Sequence, residues 1–176
     1  VYPGHTHHVT ARLAPDIADR LITMTATTKT FNIAGSYTGN VIIADPDLRA
    51  AFSARRRALG ISPNRFGMQM ATAAYSPEGA AWVAALMTYL DGNRQVFDAG
   101  VNAIPGLLSM RLEATYLAWV DFAGTGMTRE EFTRRVEKDA GIVTNYGVTF
   151  GTGGETFLRF NIGTPRSRIE EAVARG

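Results

Sequence analysis

Two short apolar runs set what this chain can fold into. Leu21-Ile22-Thr23-Met24-Thr25 is rich in β-branched residues and reads as the start of a buried strand over residues 21 to 28. Asn40-Val41-Ile42-Ile43-Ala44 is a second, apolar strand. Asp45-Pro46 follows at once, an N-cap aspartate with proline at the first helical position, so a helix should run from there to about Leu59 and stop at Gly60. Between the two runs the chain turns polar at Thr27-Thr28 and presents one lysine, Lys29, ahead of a turn at Thr30-Phe31-Asn32. In an open α/β sheet, ligands sit at the carboxyl ends of strands. A lysine there, walled by Phe31 and Ile33, is expected to be partly desolvated. Desolvation disfavours the ammonium form and leaves an amine usable as nucleophile and base, as Schiff-base chemistry requires. The competing reading is an ordinary solvated lysine at a strand end.

Further along, Pro63-Asn64 begins a Met- and Ala-rich helix over Phe66 to Tyr75. Ser76-Pro77-Glu78 opens the longest helical pattern, with Trp82, Leu86, Tyr89, Leu90, Val96 and Phe97 on it, reaching about Val101. It reads as the element that joins two domains. After Pro105-Gly106 the pattern changes to strands, at Leu107 to Glu113 and more clearly at Thr115 to Phe122. Thr128-Arg129-Glu130-Glu131 is a capping box, so a helix should run to about Asp139. Short strands are expected at Ile142 to Thr144 and Thr156 to Asn161, and a last helix from Thr164-Pro165 to near Arg175. Residues 1 to 20 read as a loop and a helical turn at Asp16 to Arg20. The order is a piece of α/β followed by an α+β unit with a mostly antiparallel sheet.

Composition removes several functions. The 176 residues include no cysteine, so neither a disulfide framework nor a thiolate metal site is available, which suits a reducing, cytoplasmic setting. No run approaches the roughly 18 apolar residues of a membrane span, and Val1-Tyr2-Pro3-Gly4-His5 has no leader character. A net charge of +2 is too small to suggest nucleic acid, and Arg55-Arg56-Arg57 suits the dipole of a helix end. His5, His7 and His8 are the only histidines, with no acid close behind them in a terminal loop, so no metal site is expected. The loop Phe150-Gly151-Thr152-Gly153-Gly154-Glu155 lacks the Gly-Lys-Ser/Thr of a phosphate loop and leads into a strand, so its glycines serve a turn.

Residues 28 to 35, Thr-Lys-Thr-Phe-Asn-Ile-Ala-Gly, resemble the Schiff-base lysine segment of the fold-type I pyridoxal-phosphate (PLP) enzymes. The likeness is greatest to the class I/II aminotransferase branch that holds the MalY/PatB-type cystathionine β-lyases, where the segment commonly reads Ser-Lys-Thr-Phe-Asn-Ile-Ala-Gly. Residues 153 to 166, Gly-Gly-Glu-Thr-Phe-Leu-Arg-Phe-Asn-Ile-Gly-Thr-Pro-Arg, look like the C-terminal signature of the same branch. Tyr2-Pro3-Gly4-His5 and the stretch Glu113 to Asp121 follow its pattern too, in the family's order. The resemblance implies that Lys29 is the catalytic and cofactor-holding residue, with Thr28 beside it on the cofactor. It implies that Arg159 binds the substrate α-carboxylate; arginine also suits that role by chemistry, because its planar fork grips a carboxylate through two hydrogen bonds. The alternative for Arg159 is an edge-strand arginine snorkelling to water. Arg166, in the first turn of a helix, reads as structural.

The resemblance also implies a fold and an assembly. The chain would be the C-terminal part of a fold-type I enzyme, with residues 1–75 the tail of the large doubly wound domain and 76–176 the connecting helix and small α+β domain. Such enzymes are homodimers with sites at the subunit interface and amino-acid substrates. The aspartate facing the pyridine nitrogen, the ring-stacking aromatic and the first phosphate-binding loop would lie upstream. The expected activity is a carbon–sulfur β-lyase giving thiol, pyruvate and ammonia; the alternatives are an aminotransferase and a catalytically incomplete fragment. Four positions depart from the family pattern. Thr28 replaces the usual serine just before the lysine. Ala26 stands where some relatives have a phosphate-binding serine, Tyr37 where many aminotransferases have a phosphate-binding arginine, and Ser36 where leucine is expected.

Overall fold

In the computed structural model, which describes residues 1–175, the chain divides into two units: Thr6–Ala85, and Val1–His5 together with Leu86 onward. The first unit contains α1 (Thr10–Leu13), a 3-10 turn over Pro15–Arg20, β1 (Ile22–Thr25), α2 (Thr27–Thr30), a 3-10 turn over Ala34–Ser36, β2 (Asn40–Ile43), α3 (Pro46–Ala58), α4 (Arg65–Ala74) and the start of α5 (Pro77–Asn102). β1 and β2 pair antiparallel, with Ile22 opposite Ile43 and Thr25 opposite Asn40.

β1 is shorter than the sequence suggests, and the reason is local. The Thr27 carbonyl accepts from the Phe31 amide at 3.0 Å and the Thr28 carbonyl from the Ile33 amide at 3.0 Å. These bonds consume the groups that a strand would have offered sideways, so the chain coils into α2 once Ala26 has ended the extended segment. Side-chain caps start the next two helices as expected. Asp45 Oδ1 accepts from the Leu48 amide at 2.7 Å, and Asn64 Oδ1 from the Gly67 amide at 2.6 Å. A Cβ on Gly67 would collide with the Thr38 hydroxyl, so only glycine lets α4 approach the Ser36–Thr38 turn.

The second unit holds the rest of α5, then β3 (Leu108–Ser109), β4 (Leu117–Asp121), α6 (Arg129–Arg134) continuing as a π-helical turn over Arg135–Asp139, β5 (Asn145–Tyr146), β6 (Phe157–Asn161) and α7 (Arg166–Arg175). The sheet order is β3-β4-β6-β5, and every neighbouring pair is antiparallel. Strand alternation sends Ala118, Val120 and Leu158 to one face, where they meet Phe97 and Val101 of α5, Ile169 of α7, and Phe122 stacked on Phe132 with ring centres 4.6 Å apart. Trp119, Phe157 and Arg159 take the other face. Leu107 to Glu113 yields only the two-residue β3, and the strand expected at Ile142 to Thr144 forms later, at Asn145–Tyr146.

A buried polar cluster ties the end of β6 to α5. Asn93 is 0% exposed. Its Nδ2 donates to the carbonyls of Ile162 at 3.0 Å and Thr164 at 2.8 Å, and its Oδ1 accepts from Arg166 Nε at 3.2 Å. Arg166 also donates through Nη2 to the Tyr89 carbonyl at 2.9 Å. A Cβ on Gly92 would collide with that Nη2, so the glycine makes room for the guanidinium. The structural reading of Arg166 therefore has a concrete partner set.

The division between the two units falls inside α5, between Ala85 and Leu86. Val1–His5 joins the C-terminal unit because Tyr2 is buried there. Its amide donates to the Glu113 carbonyl at 2.9 Å, its hydroxyl donates to the Thr115 carbonyl at 2.6 Å, and the Arg94 guanidinium lies 5.1 Å over its ring. Burial raises the Tyr2 hydroxyl pKa above its ordinary value, with Arg94 opposing. The fold thus favours the protonated phenol, and that contribution is complete below the ordinary pKa of about 10 and lost as the pH climbs past it. Tyr2→Phe is expected to cost about 1 kcal/mol at pH 8. The difference from the parent should shrink above a pH of about 10, as urea unfolding at the two pH values would show.

Candidate active site

Lys29 lies in the single turn of α2, in the first unit, and its side chain is exposed. This corrects the expectation of an amine walled by Phe31 and Ile33. Residues two apart on a helical turn point in different directions, and the Phe31 ring is stacked instead on Trp82 at 5.7 Å. The segment after the lysine is nonetheless well fixed. Asn32 and Tyr37 take left-handed backbone angles, φ 53° and 44°, and the Ser36 carbonyl accepts from Thr38 Oγ1 and Asn64 Nδ2. Ser36 itself is buried, and its hydroxyl has no hydrogen-bond partner among the described residues. Thr27 is buried, and Thr28 is half-buried next to Lys29.

Arg159 lies in the second unit on β6, which is an interior strand between β4 and β5 and not an edge. Across the two ladders it stands in line with Trp119 on one side and Asn145 on the other. Its Nη2 donates to Asn145 Oδ1 at 3.0 Å, and its guanidinium carbon lies 4.4 Å from the centre of the Phe150 ring. Trp119 meets Phe150 and Phe157 edge-on, at 5.2 Å and 5.8 Å between ring centres. Nε of Arg159 is buried and has no hydrogen-bond partner among the described residues. No acid lies within ion-pair distance of this arginine among the described residues, whereas Arg94, Arg134, Arg135, Arg168 and Arg175 all have one. A cation held in place by aromatic rings and an amide, with no counter-charge, is chemically suited to an incoming carboxylate.

Three neighbours of Arg159 escaped the sequence reading: Trp119, Asn145 and Phe150. Strand alternation could have placed Trp119 on one face. Its pairing with Arg159 depends on a register set by residues forty positions apart in the chain. Asn145 fell just outside the expected strand, and Phe150 lies in a loop read only for its glycines.

No family model matches the chain. The chain is 35% identical over 174 residues to cystathionine beta-lyase PatB of Bacillus subtilis strain 168, a match covering 98% of this chain and 45% of that protein. The chain belongs to the PatB/MalY-type family. Protein MalY of Escherichia coli K12 is 31% identical over 154 residues, covering 86% of this chain and 39% of MalY. Among solved structures, cystalysin from Treponema denticola, which contains a pyridoxal 5'-phosphate cofactor, superposes with a TM-score of 0.92 at 32% identity, covering 99% of this chain and 45% of cystalysin. The chain therefore has the fold of the C-terminal part of a fold-type I protein, and it spans a little under half the length of these relatives. Within that family frame, the donor set of the first unit suits an aldehyde cofactor: the Lys29 amine is exposed, and a threonine hydroxyl stands beside it.

Proposed function

We propose that the intact protein is a PLP-dependent carbon–sulfur β-lyase that splits a cystathionine-like amino acid into a thiol, pyruvate and ammonia. The observation that carries this choice is the match of 98% of the chain to a cystathionine β-lyase, over a span that takes in Lys29 and Arg159. Lys29 would hold the cofactor through its amine, with the Thr28 hydroxyl beside it. When bound, the cofactor supplies an electron sink for charge developing at the substrate Cα. The chain's own residues bind the substrate and move its proton. Arg159 binds the α-carboxylate through its planar fork and so fixes which bond at Cα faces the base. The Lys29 amine would take the Cα proton, once the substrate has displaced it from the cofactor and left it neutral. The electrons left on Cα then expel the sulfur from Cβ.

The 176 residues span 45% of PatB, and we infer that other cofactor contacts come from the remainder of the longer protein. We also read the intact protein as a cytoplasmic homodimer, on the family pattern. Among the described residues no helix is long and apolar enough to cross a membrane. The test is pyruvate release from cystathionine by the full-length protein with saturating cofactor. Absence of pyruvate would overturn the lyase reading. Amino-acid product on addition of a 2-oxo acid, without pyruvate from cystathionine, would establish an aminotransferase instead.

A further inference from the structure

We propose that Asn145 is a positioning residue for Arg159, and that with Phe150 it restricts a substrate carboxylate to the terminal Nη1–Nη2 edge of the guanidinium. The inference rests on the reading of Arg159 as the carboxylate anchor. A guanidinium can grip a carboxylate through its Nε–Nη side or through its two terminal nitrogens. Nε of Arg159 is buried, so the side fork is closed to a ligand. The guanidinium carbon lies over the Phe150 ring, 4.4 Å from its centre, so the ring limits approach from that side. That leaves the terminal nitrogens, and Asn145 Oδ1 accepts one of the two Nη2 hydrogens at 3.0 Å. That bond fixes the rotation of the plane, and among the described residues the other three terminal N–H groups are unpaired. Asn145 reaches this position because it is the direct cross-strand partner of Arg159, on the same sheet face. A neutral amide orients the cation without neutralising it, whereas a carboxylate there would compete with the substrate.

The test uses the full-length enzyme and two probes, L-alanine and L-alaninamide, which differ only in the carboxylate. Dissociation constants come from calorimetry, beside KM and kcat for cystathionine. Asn145→Ala is expected to reduce the preference for alanine over alaninamide by about tenfold and to raise KM by a like factor, with kcat changed by less than about twofold. Asn145→Asp should reduce the preference more, by roughly 100-fold, because it places a competing anion on Nη2. Alaninamide affinity should stay at the parent value in both, which shows that the variants are folded; Asn145 is exposed, so neither substitution disturbs a core. If both variants keep the parent preference while Arg159→Ala loses it, the positioning role is refuted and the anchor reading stands. If Arg159→Ala keeps the preference as well, the anchor reading falls and takes the positioning role with it.

Discussion

Replacing Lys29 with alanine in the full-length protein is expected to lower pyruvate formation from cystathionine by at least about 10³-fold. The size follows from the two roles proposed for one amine, holding the cofactor and moving the Cα proton. Stability should barely change, by less than about 0.5 kcal/mol, because the side chain is exposed. Steady-state rates and a thermal unfolding curve on the same preparation separate these effects. A second readout follows from composition. Lys29 and Lys138 are the only lysines in these 176 residues. After borohydride reduction of the loaded enzyme, peptide mass spectrometry should find the cofactor on the peptide containing Lys29 and none on that containing Lys138. Label on Lys138, or full activity in the alanine variant, would remove Lys29 from the chemistry.

Arg159→Ala is expected to lower kcat/KM by about 10²- to 10³-fold, the loss that follows removal of one partner of a hydrogen-bonded charge pair. Arg159→Lys should recover only part of this. A lysine offers a point charge in place of a planar fork, and it cannot keep both the contact with Asn145 and the stacking on Phe150. The alanine variant should also be slightly less stable, by about 0.5 to 1 kcal/mol, through the lost contact with the Phe150 ring. Kinetics that show wild-type kcat/KM in Arg159→Ala would show that the carboxylate is held elsewhere.

Much of the fold was legible in the residues themselves. Asp45-Pro46, Pro63-Asn64 and the Thr128–Glu131 box mark helix starts that the structure reproduces to within a residue or two, because each cap is a local hydrogen bond between neighbours in sequence. The strands β4 and β6 were visible as alternation. The family resemblance agrees with relatives that match nearly the whole chain. What escaped depended on distance along the chain. Tyr2 sits in the C-terminal unit because of carbonyls more than a hundred residues away, which no local pattern announces. The setting of Lys29 was misjudged for the opposite reason. The apolar residues around it suggested a wall, but a turn of helix set Phe31 toward Trp82 and left the amine open.

The pairing of β1 with β2 has a consequence for how the chain must be handled. Among the described residues each strand has one neighbour in the ladder, so the outer backbone edge of each is paired with no other strand. The ribbon is also greasy: Met24 is 73% and Ile42 59% exposed. A two-stranded ribbon of four residues a side is marginal in water without a cover. The second unit has a closed apolar core and carries Arg159. Lys29 follows directly from the ribbon. Any preparation of these 176 residues will therefore risk its chemistry before its bulk, losing the ordered setting of Lys29 to strand-to-strand association while the remainder still unfolds as a cooperative body.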